Sequence, residues 1–268
     1  MSDKAVEIRD LVKTFGDGRN LFGRKSSEVQ AVKGITLDLI RGETLGIVGE
    51  SGSGKSTLAR MLVGLEHPTA GTMTIDGKPW ETLASAGSRA FGRTIQYVFQ
   101  DPVASLNPRK TIGDILDVPL RILCGYDRDH RARRKAELVD AVQMPRDTLD
   151  RFPHEFSGGQ AQRIAIARAL AAEARILVLD EPVSALDVSV QAQVLLLLQQ
   201  LRDDLGLSYL FISHDLAVVE SISDRVAVMY LGEVVETGPA AQLFAAPQHD
   251  YTRTLISSAP RLTAPDAA

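Results

Sequence analysis

The sequence predicts an α/β protein: a parallel sheet covered by helices on both faces, preceded by an antiparallel β segment and interrupted by a helical insertion. Three observations predict it. From residue 159 onward strand-like and helix-like segments alternate, the pattern of parallel strands joined by crossover helices. Residues 44–65 carry a short apolar run, a glycine-rich loop and an amphipathic stretch in direct succession. Between these regions, residues 101–156 lose strand character and read as helical.

In order along the chain, residues 5–15 are β-leaning and lead through a polar loop, "DGRNLFGRKSSE", into "GITLDLIRGETLGIVG" (34–49), whose strand-like segments flank a turn at Arg41-Gly42. "AGTMTIDGKPW" (70–80) reads as a hairpin, and "TIQYVFQ" (94–100) as a strand ending in Gln100. Residues 111–124 place Ile112, Ile115, Leu116, Leu120 and Leu123 at helical spacing, with Pro119 bending the helix. Residues 129–144 read as a helix whose Arg/Lys-rich first half is a solvated face rather than a binding patch. The remainder reads helix 159–172, strand 175–180, helix 188–204, strand 208–213, helix 215–222 and strand 225–230, with no internal repeat.

Composition narrows the classes. A chain of 268 residues with 44% hydrophobic and 24% charged residues has the make-up of an ordinary soluble globular protein with a sizeable core. A formal charge of −4 gives nucleic acid no general attraction, so none is expected as a partner. The single cysteine, Cys124, excludes an intrachain disulfide framework and a cysteine-built metal site. "MSDKAVEIRD" lacks the apolar stretch of a signal peptide, and the longest aliphatic run, 194–198, is far too short to span a bilayer. The expectation is a cytoplasmic protein that serves a membrane, if at all, by docking.

The chemistry starts at "GESGSGKS" (49–56), which matches G-x-x-x-x-G-K-[ST] between an apolar strand and a helix, the context a phosphate loop requires. Gly49, Gly52 and Gly54 let the backbone curl so that its N–H groups cradle phosphate oxygens; Lys55 reaches the β- and γ-phosphates, and the Ser56 hydroxyl binds Mg²⁺. The metal shell also needs a carboxylate, and "RILVLDEP" (175–182) supplies Asp180 at the end of a buried apolar run. Glu181, one residue beyond, is set to polarise an attacking water, unless it is a solvated loop carboxylate. Gln100 and His214 also close apolar runs, and ligands gather at the carboxyl ends of parallel strands. Together with Asp180 they converge on the γ-phosphate, although His214 alone could equally be a capping neighbour of the next helix. A second small-residue turn, Ser157-Gly158-Gly159-Gln160, opens a helix and suits an anion too.

These residues, in this order, resemble the nucleotide-binding subunit of ATP-binding cassette (ABC) transporters over nearly the whole chain. "GESGSGKST" (49–57) is similar to the Walker A loop, so that Glu50, Ser51, Ser53 and Thr57 join the nucleotide site. Gln100 resembles the Q-loop glutamine, which implies both a metal contact and a catalytic role. "FSGGQ" (156–160) resembles the signature motif, "ILVLDE" (176–181) Walker B with the catalytic glutamate, and "SALD" (184–187) the D-loop with Asp187 at the nucleotide. His214 resembles the switch histidine, and Phe15 stands where the family carries an aromatic that stacks on adenine, with Phe22 in the same loop region.

The resemblance implies a P-loop NTPase (RecA-like) parallel core with an N-terminal antiparallel β subdomain and an inserted α-helical subdomain. The nucleotide-binding domain then covers 1–246, with its core at 1–100 and 157–246 and its helical subdomain at about 101–156; 247–268 is a C-terminal extension. It implies ATP and Mg²⁺ as ligands and two such domains pairing head-to-tail, each signature loop closing over the other's γ-phosphate. The partners implied are transmembrane permease subunits, a second cassette subunit (sister heterodimer or homodimer) and, indirectly, an extracytoplasmic solute-binding protein, at the cytoplasmic face of the inner membrane.

"FQDPVASLNPR" (99–109), "PHEFSGGQ" (153–160) and the Pro247, His249, Tyr251, Thr252 element resemble the oligopeptide/dipeptide permease branch. Phe156 departs from the superfamily's commonest leucine without consequence. Ala161 replaces a usually basic residue, implying a lost surface contact, and Asp250 replaces a proline. A soluble, non-transport cassette ATPase of repair or translation type is the alternative reading. The repair type needs a long coiled coil between the two halves, and no sustained heptads occur there. The translation type carries two cassettes, and this chain has one motif set.

Overall fold

The computed structural model describes residues 3–16 and 28–258. The chain runs β1 (Lys4–Phe15), β2 (Val29–Ile40), β3 (Thr44–Val48), α1 (Lys55–Leu62), β4 (Ala70–Ile75), β5 (Lys78–Pro79), α2 (Trp80–Ala86), α3 (Ser88–Thr94) and β6 (Ile95–Val98). Then follow α4 (Ile112–Ile122), α5 (Arg128–Ala141), two short 3₁₀ turns (Arg146–Asp150 and Pro153–Glu155) and α6 (Gly158–Leu170). The last part is β7 (Ile176–Asp180), α7 (Val188–Leu205), β8 (Ser208–Ile212), α8 (Leu216–Ile222), β9 (Arg225–Tyr230), β10 (Glu233–Pro239), α9 (Ala240–Ala245) and α10 (Asp250–Ser258).

Two sheets form. A four-stranded antiparallel sheet has the order β2-β1-β4-β5. A six-stranded sheet has the order β10-β9-β3-β8-β7-β6, parallel from β9 to β6. The turn at Arg41-Gly42 therefore does not close a hairpin: β2 and β3 lie in different sheets. Arg225 ties those sheets together, reaching Asp38 on β2 at 3.1 Å and Glu43 at 3.2 Å. At its other edge the large sheet is not parallel, because the tight turn at Leu231-Gly232 folds β10 back antiparallel on β9.

Side-chain alternation assigns each face of the large sheet to its own core. Val48, Leu177, Leu179, Tyr209, Phe211, Val226 and Val228 pack with α4 to α8. Their sequence neighbours Ile47, Ile176, Val178, Leu210, Ile212, Ala227 and Met229 pack with α1 and the antiparallel sheet. Successive residues of a strand point to opposite faces, so near-continuous aliphatic runs are what a two-faced sheet needs. The insertion helices share the first core through Ile112, Leu116 and Leu120, at the helical spacing read from sequence, and through Leu138 and Val139 of α5. Pro119 sits inside α4, and its carbonyl accepts from the Leu123 N–H at 2.8 Å near the helix end.

Several boundaries differ from the sequence reading. β6 ends at Val98 and β8 at Ile212, so Gln100 and His214 are loop residues two places beyond their strands, not strand ends. α2 and α3, which lack a sustained apolar period, were not expected. Ala161 is fully buried in α6, so its position is not a surface one and no surface contact is lost there. Cys124 lies just beyond α4, with Sγ 3.5 Å from the Ala171 carbonyl, as a small part-buried residue should.

Candidate functional site

Four consecutive strands, in the order β3-β8-β7-β6, are parallel and end on one edge of the sheet. The loops leaving them carry residues 49–57, His214, Glu181 and Gln100, and Asp180 is the last residue of β7. That edge is where open α/β sheets take their ligands.

The 49–57 loop is braced by its surroundings. Gly49 packs so close to β9 that a Cβ there would come within 2.1 Å of the Met229 carbonyl oxygen. Gly232, in the β9–β10 turn, donates its N–H to the Ser53 carbonyl at 3.1 Å. α1 starts at Lys55, so the unpaired N–H groups of its first turn open at the loop, as an anion requires. Glu50, Ser51, Gly52 and Ser56 are exposed at the mouth, Gly54 and Thr57 are half-buried, and Ser53 and Lys55 are buried. The Lys55 ammonium donates to the carbonyls of Gly49 at 2.7 Å and Glu50 at 2.8 Å. Burial lowers its pKa below the ordinary lysine value, while the carboxylates of Glu181, Asp180 and Glu50 pull it back up. An ammonium held by neutral carbonyls keeps its charge available for an anion.

Ser56 Oγ donates to Asp180 Oδ1 at 3.4 Å, and the Tyr97 hydroxyl donates to Asp180 Oδ2 at 2.5 Å. Burial and the bond to Asp180 hold the Tyr97 phenol far above its usual pKa, so it stays a donor. Tyr97 thus pins one carboxylate oxygen and leaves the other toward Ser56. A hydroxyl and a carboxylate are the hard oxygen donors Mg²⁺ takes. Among the described residues no group of three or more His, Cys, Asp or Glu could hold a metal unaided. The Ser56–Asp180 pair therefore fits a Mg²⁺ that draws its other ligands from phosphate and water.

Glu181 has φ 49°, a left-handed conformation uncommon outside glycine. Its N–H donates to the Ile212 carbonyl at 2.9 Å. Its Oε1 lies 3.1 Å from His214 Nδ1, and its Oε2 accepts from Gln100 Nε2 at 2.8 Å. Three residues drawn from separate sequence runs thus meet in one cluster. Gln100 sits on Glu181 in this cluster rather than on the Ser56–Asp180 pair.

The second small-residue turn stands apart. Ser157 Oγ accepts from the Gln160 N–H at 3.4 Å, and Gln160 Oε1 accepts from the Ser157 N–H at 3.0 Å, a reciprocal capping box on α6. Gly159 is required by packing, since a Cβ there would come within 2.3 Å of Val190 Cγ1 on α7. Gly158 faces Leu186 in the same way, less tightly. Asp187 caps α7, accepting from Ser189 Oγ at 2.7 Å and the Val190 N–H at 3.0 Å, which hold its carboxyl below the usual range. Among the described residues no hydrogen bond or ion pair joins Ser157–Gln160 or Asp187 to the 49–57 loop. Phe15 closes β1, 40% exposed, with Lys13 Nζ 4.7 Å from its ring centre. Phe22 lies outside the described residues.

The sequence reading missed Tyr97.

A family model described as ABC transporter matches residues 32–184, and one described as oligopeptide/dipeptide transporter, C-terminal region, matches residues 235–268. The chain is 51% identical over 257 residues to a Brucella abortus protein named as a peptide import ATP-binding protein, covering 96% of this chain and 77% of that one. It is 48% identical over 258 residues to the glutathione import ATP-binding protein GsiA of Escherichia coli K12, covering 96% of this chain and 41% of that longer protein. Among solved structures, a dimeric ATP-binding cassette in a post-hydrolysis state bound to ADP and Pi superposes with a TM-score of 0.76 at 29% identity, over 88% of this chain and 98% of that one. CbiO1 of Clostridium perfringens, part of the ABC transporter complex cbiONQ, superposes with a TM-score of 0.78 at 28% identity, over 91% and 92%.

Proposed function

The chain belongs to the ABC transporter family, and from that premise we propose that it is the ATP-hydrolysing subunit of an importer, driving peptides or similar small solutes through a membrane permease. One observation carries the reading: Lys55, the Ser56–Asp180 pair and the Gln100–Glu181–His214 cluster gather at one edge of four adjacent parallel strands. The C-terminal match to the oligopeptide/dipeptide transporter region supports the importer branch.

The proposed roles follow from the chemistry. Backbone N–H groups of 49–57 cradle the β- and γ-phosphates, and Lys55 reaches them from its carbonyl perch. When bound, Mg²⁺ would supply neutralising charge; Ser56 and Asp180 would hold it, and Gln100 would join them on leaving Glu181. Glu181 takes the proton of the in-line water, and His214 orients both Glu181 and the γ-phosphate. Ser157, Gly158, Gly159 and Gln160, with Asp187, serve the nucleotide of a second cassette, a sister subunit or a second copy, docked head-to-tail. Phe15 stacks on adenine. The proposed divisions are a core of 1–100 and 157–246, a helical subdomain of about 101–156 and an extension of 247–268.

Among the described residues no helix is long and apolar enough to cross a membrane. The proposed place of the chain is peripheral to the permease, at the cytoplasmic face of the inner membrane. A groove of about 430 Å³ is lined by Leu65, Phe91, Gln96, Arg168 and Phe99; Phe99 is the sequence neighbour of Gln100, and the groove is the surface proposed for the permease. Capture of the tagged chain from detergent-solubilised membranes, followed by mass spectrometry, tests the reading. Two polytopic permeases with a second cassette chain are expected. Recovery of soluble or nucleic-acid-bound partners alone would overturn it.

A further inference from the structure

We infer that the C-terminal helix reaches back to hold the phosphate loop, and that Tyr251 is a positioning residue for the nucleotide. This inference rests on reading 49–57 as the nucleotide loop. The Tyr251 hydroxyl accepts from the Glu50 backbone N–H at 3.1 Å, a contact between residues 201 apart in sequence. The carbonyl of that same peptide unit, on Gly49, accepts from Lys55 Nζ at 2.7 Å. One peptide plane is thus gripped on both sides, by the hydroxyl at its N–H and the ammonium at its C=O. Hydrogen bonds in such a chain polarise one another, so each grip strengthens the other.

The helix that carries Tyr251 is itself stapled. Glu236 on β10 accepts from the N–H groups of Gln248 at 2.8 Å and His249 at 2.9 Å, turning the chain into α10. His249 Nδ1 accepts from the Tyr251 N–H at 3.1 Å, and Arg253 donates to the carbonyls of Pro247 and Gln248. The Tyr251 ring lies against Tyr230, the last residue of β9, with centroids 4.1 Å apart. Burial raises the phenol's pKa, so it stays protonated, with an oxygen lone pair for the Glu50 N–H. Pro247, His249 and Tyr251 each have a place in this clip.

The consequence is pre-organisation. The Glu50 N–H is tied before nucleotide arrives, which fixes the curl of the loop and the perch of Lys55 and removes part of the ordering cost of binding. ATP binding to the full-length chain in EDTA, where no turnover occurs, reads this directly. Tyr251→Phe should weaken ATP about three- to ten-fold, the worth of one such hydrogen bond. Amide exchange at Glu50 should speed up while Tm stays put, and in the Mg²⁺-dependent assay KM should rise with kcat unchanged. Glu236→Ala, which frees the staple, should move Glu50 exchange and ATP affinity in the same direction. Unchanged ATP affinity in Tyr251→Phe, or an affinity loss matched by a fall in Tm, overturns the inference. A wild-type chain that binds no ATP sinks the nucleotide-site reading instead, so the two failures are distinct.

Discussion

The chain has two small-residue loops that open helices, 49–57 before α1 and 157–160 before α6, and the fold treats them oppositely. The first is gripped from several sides: by β9 under Gly49, by Gly232 at Ser53, by Tyr251 at Glu50, and by its own buried Lys55. The second is held by its own capping box, with Ser157, Gly158 and Gln160 exposed. Similar composition therefore does not mean similar preparation. Where a chain's own elements supply the bracing, a phosphate site is assembled before its ligand arrives. Where they supply a helix N-terminus and one packing face, the proposed reading draws the remaining contacts from another molecule. In the proposed head-to-tail pair, one chain brings the prepared half-site and the other brings the open one.

Breaking the prepared half should have the largest effects. Glu181→Gln should cut phosphate release about 10²- to 10⁴-fold, the usual worth of a positioned general base. ATP affinity should survive, and light scattering should find an ATP-locked pair of cassettes. Wild-type turnover in this variant would remove Glu181 from the water-activating role. Lys55→Ala removes a charged donor from the same half and should weaken ATP about 10- to 100-fold by calorimetry. An unaltered affinity would mean that the carbonyls of Gly49 and Glu50, rather than phosphate, are the permanent partners of the ammonium.

The same contrast explains what the sequence disclosed. The motif at 49–56 and the Asp180–Glu181 pair were legible because their spacing is local and their flanking aliphatic runs are strands with two buried faces. Gln100 and His214 were legible as candidate site residues but misplaced as strand ends. β6 is an edge strand whose ladder with β7 stops at Val98–Leu179, and the β7–β8 ladder stops at Asp180–Ile212. An apolar run extends as far as its side chains are buried, whereas a strand extends only as far as it has a partner. The contacts of Tyr97 and Tyr251 were illegible for another reason. Each acts through a hydroxyl on a residue 83 or 201 positions away, and nothing local marks such a contact. Gly159 was read as room for an anion, yet its tight requirement is the approach of α6 to α7.

The smallest predicted effect is the most discriminating. Ser157→Ala removes the hydroxyl that accepts from the Gln160 N–H and breaks the capping box on α6. Loss of an N-cap costs about 1 kcal/mol, which for a domain of this size lowers Tm by roughly 2–4 °C. If Ser157 serves a nucleotide held by another chain, ATP affinity of the isolated chain should not change. Turnover at concentrations that favour pairing should still fall, because a donor to the transferred phosphoryl group has gone. Calorimetry on dilute chain and phosphate release on concentrated chain separate the two. A loss of ATP affinity in the dilute chain would mean that the 157–160 loop closes over its own nucleotide, and the division into a prepared and an open half-site would fail.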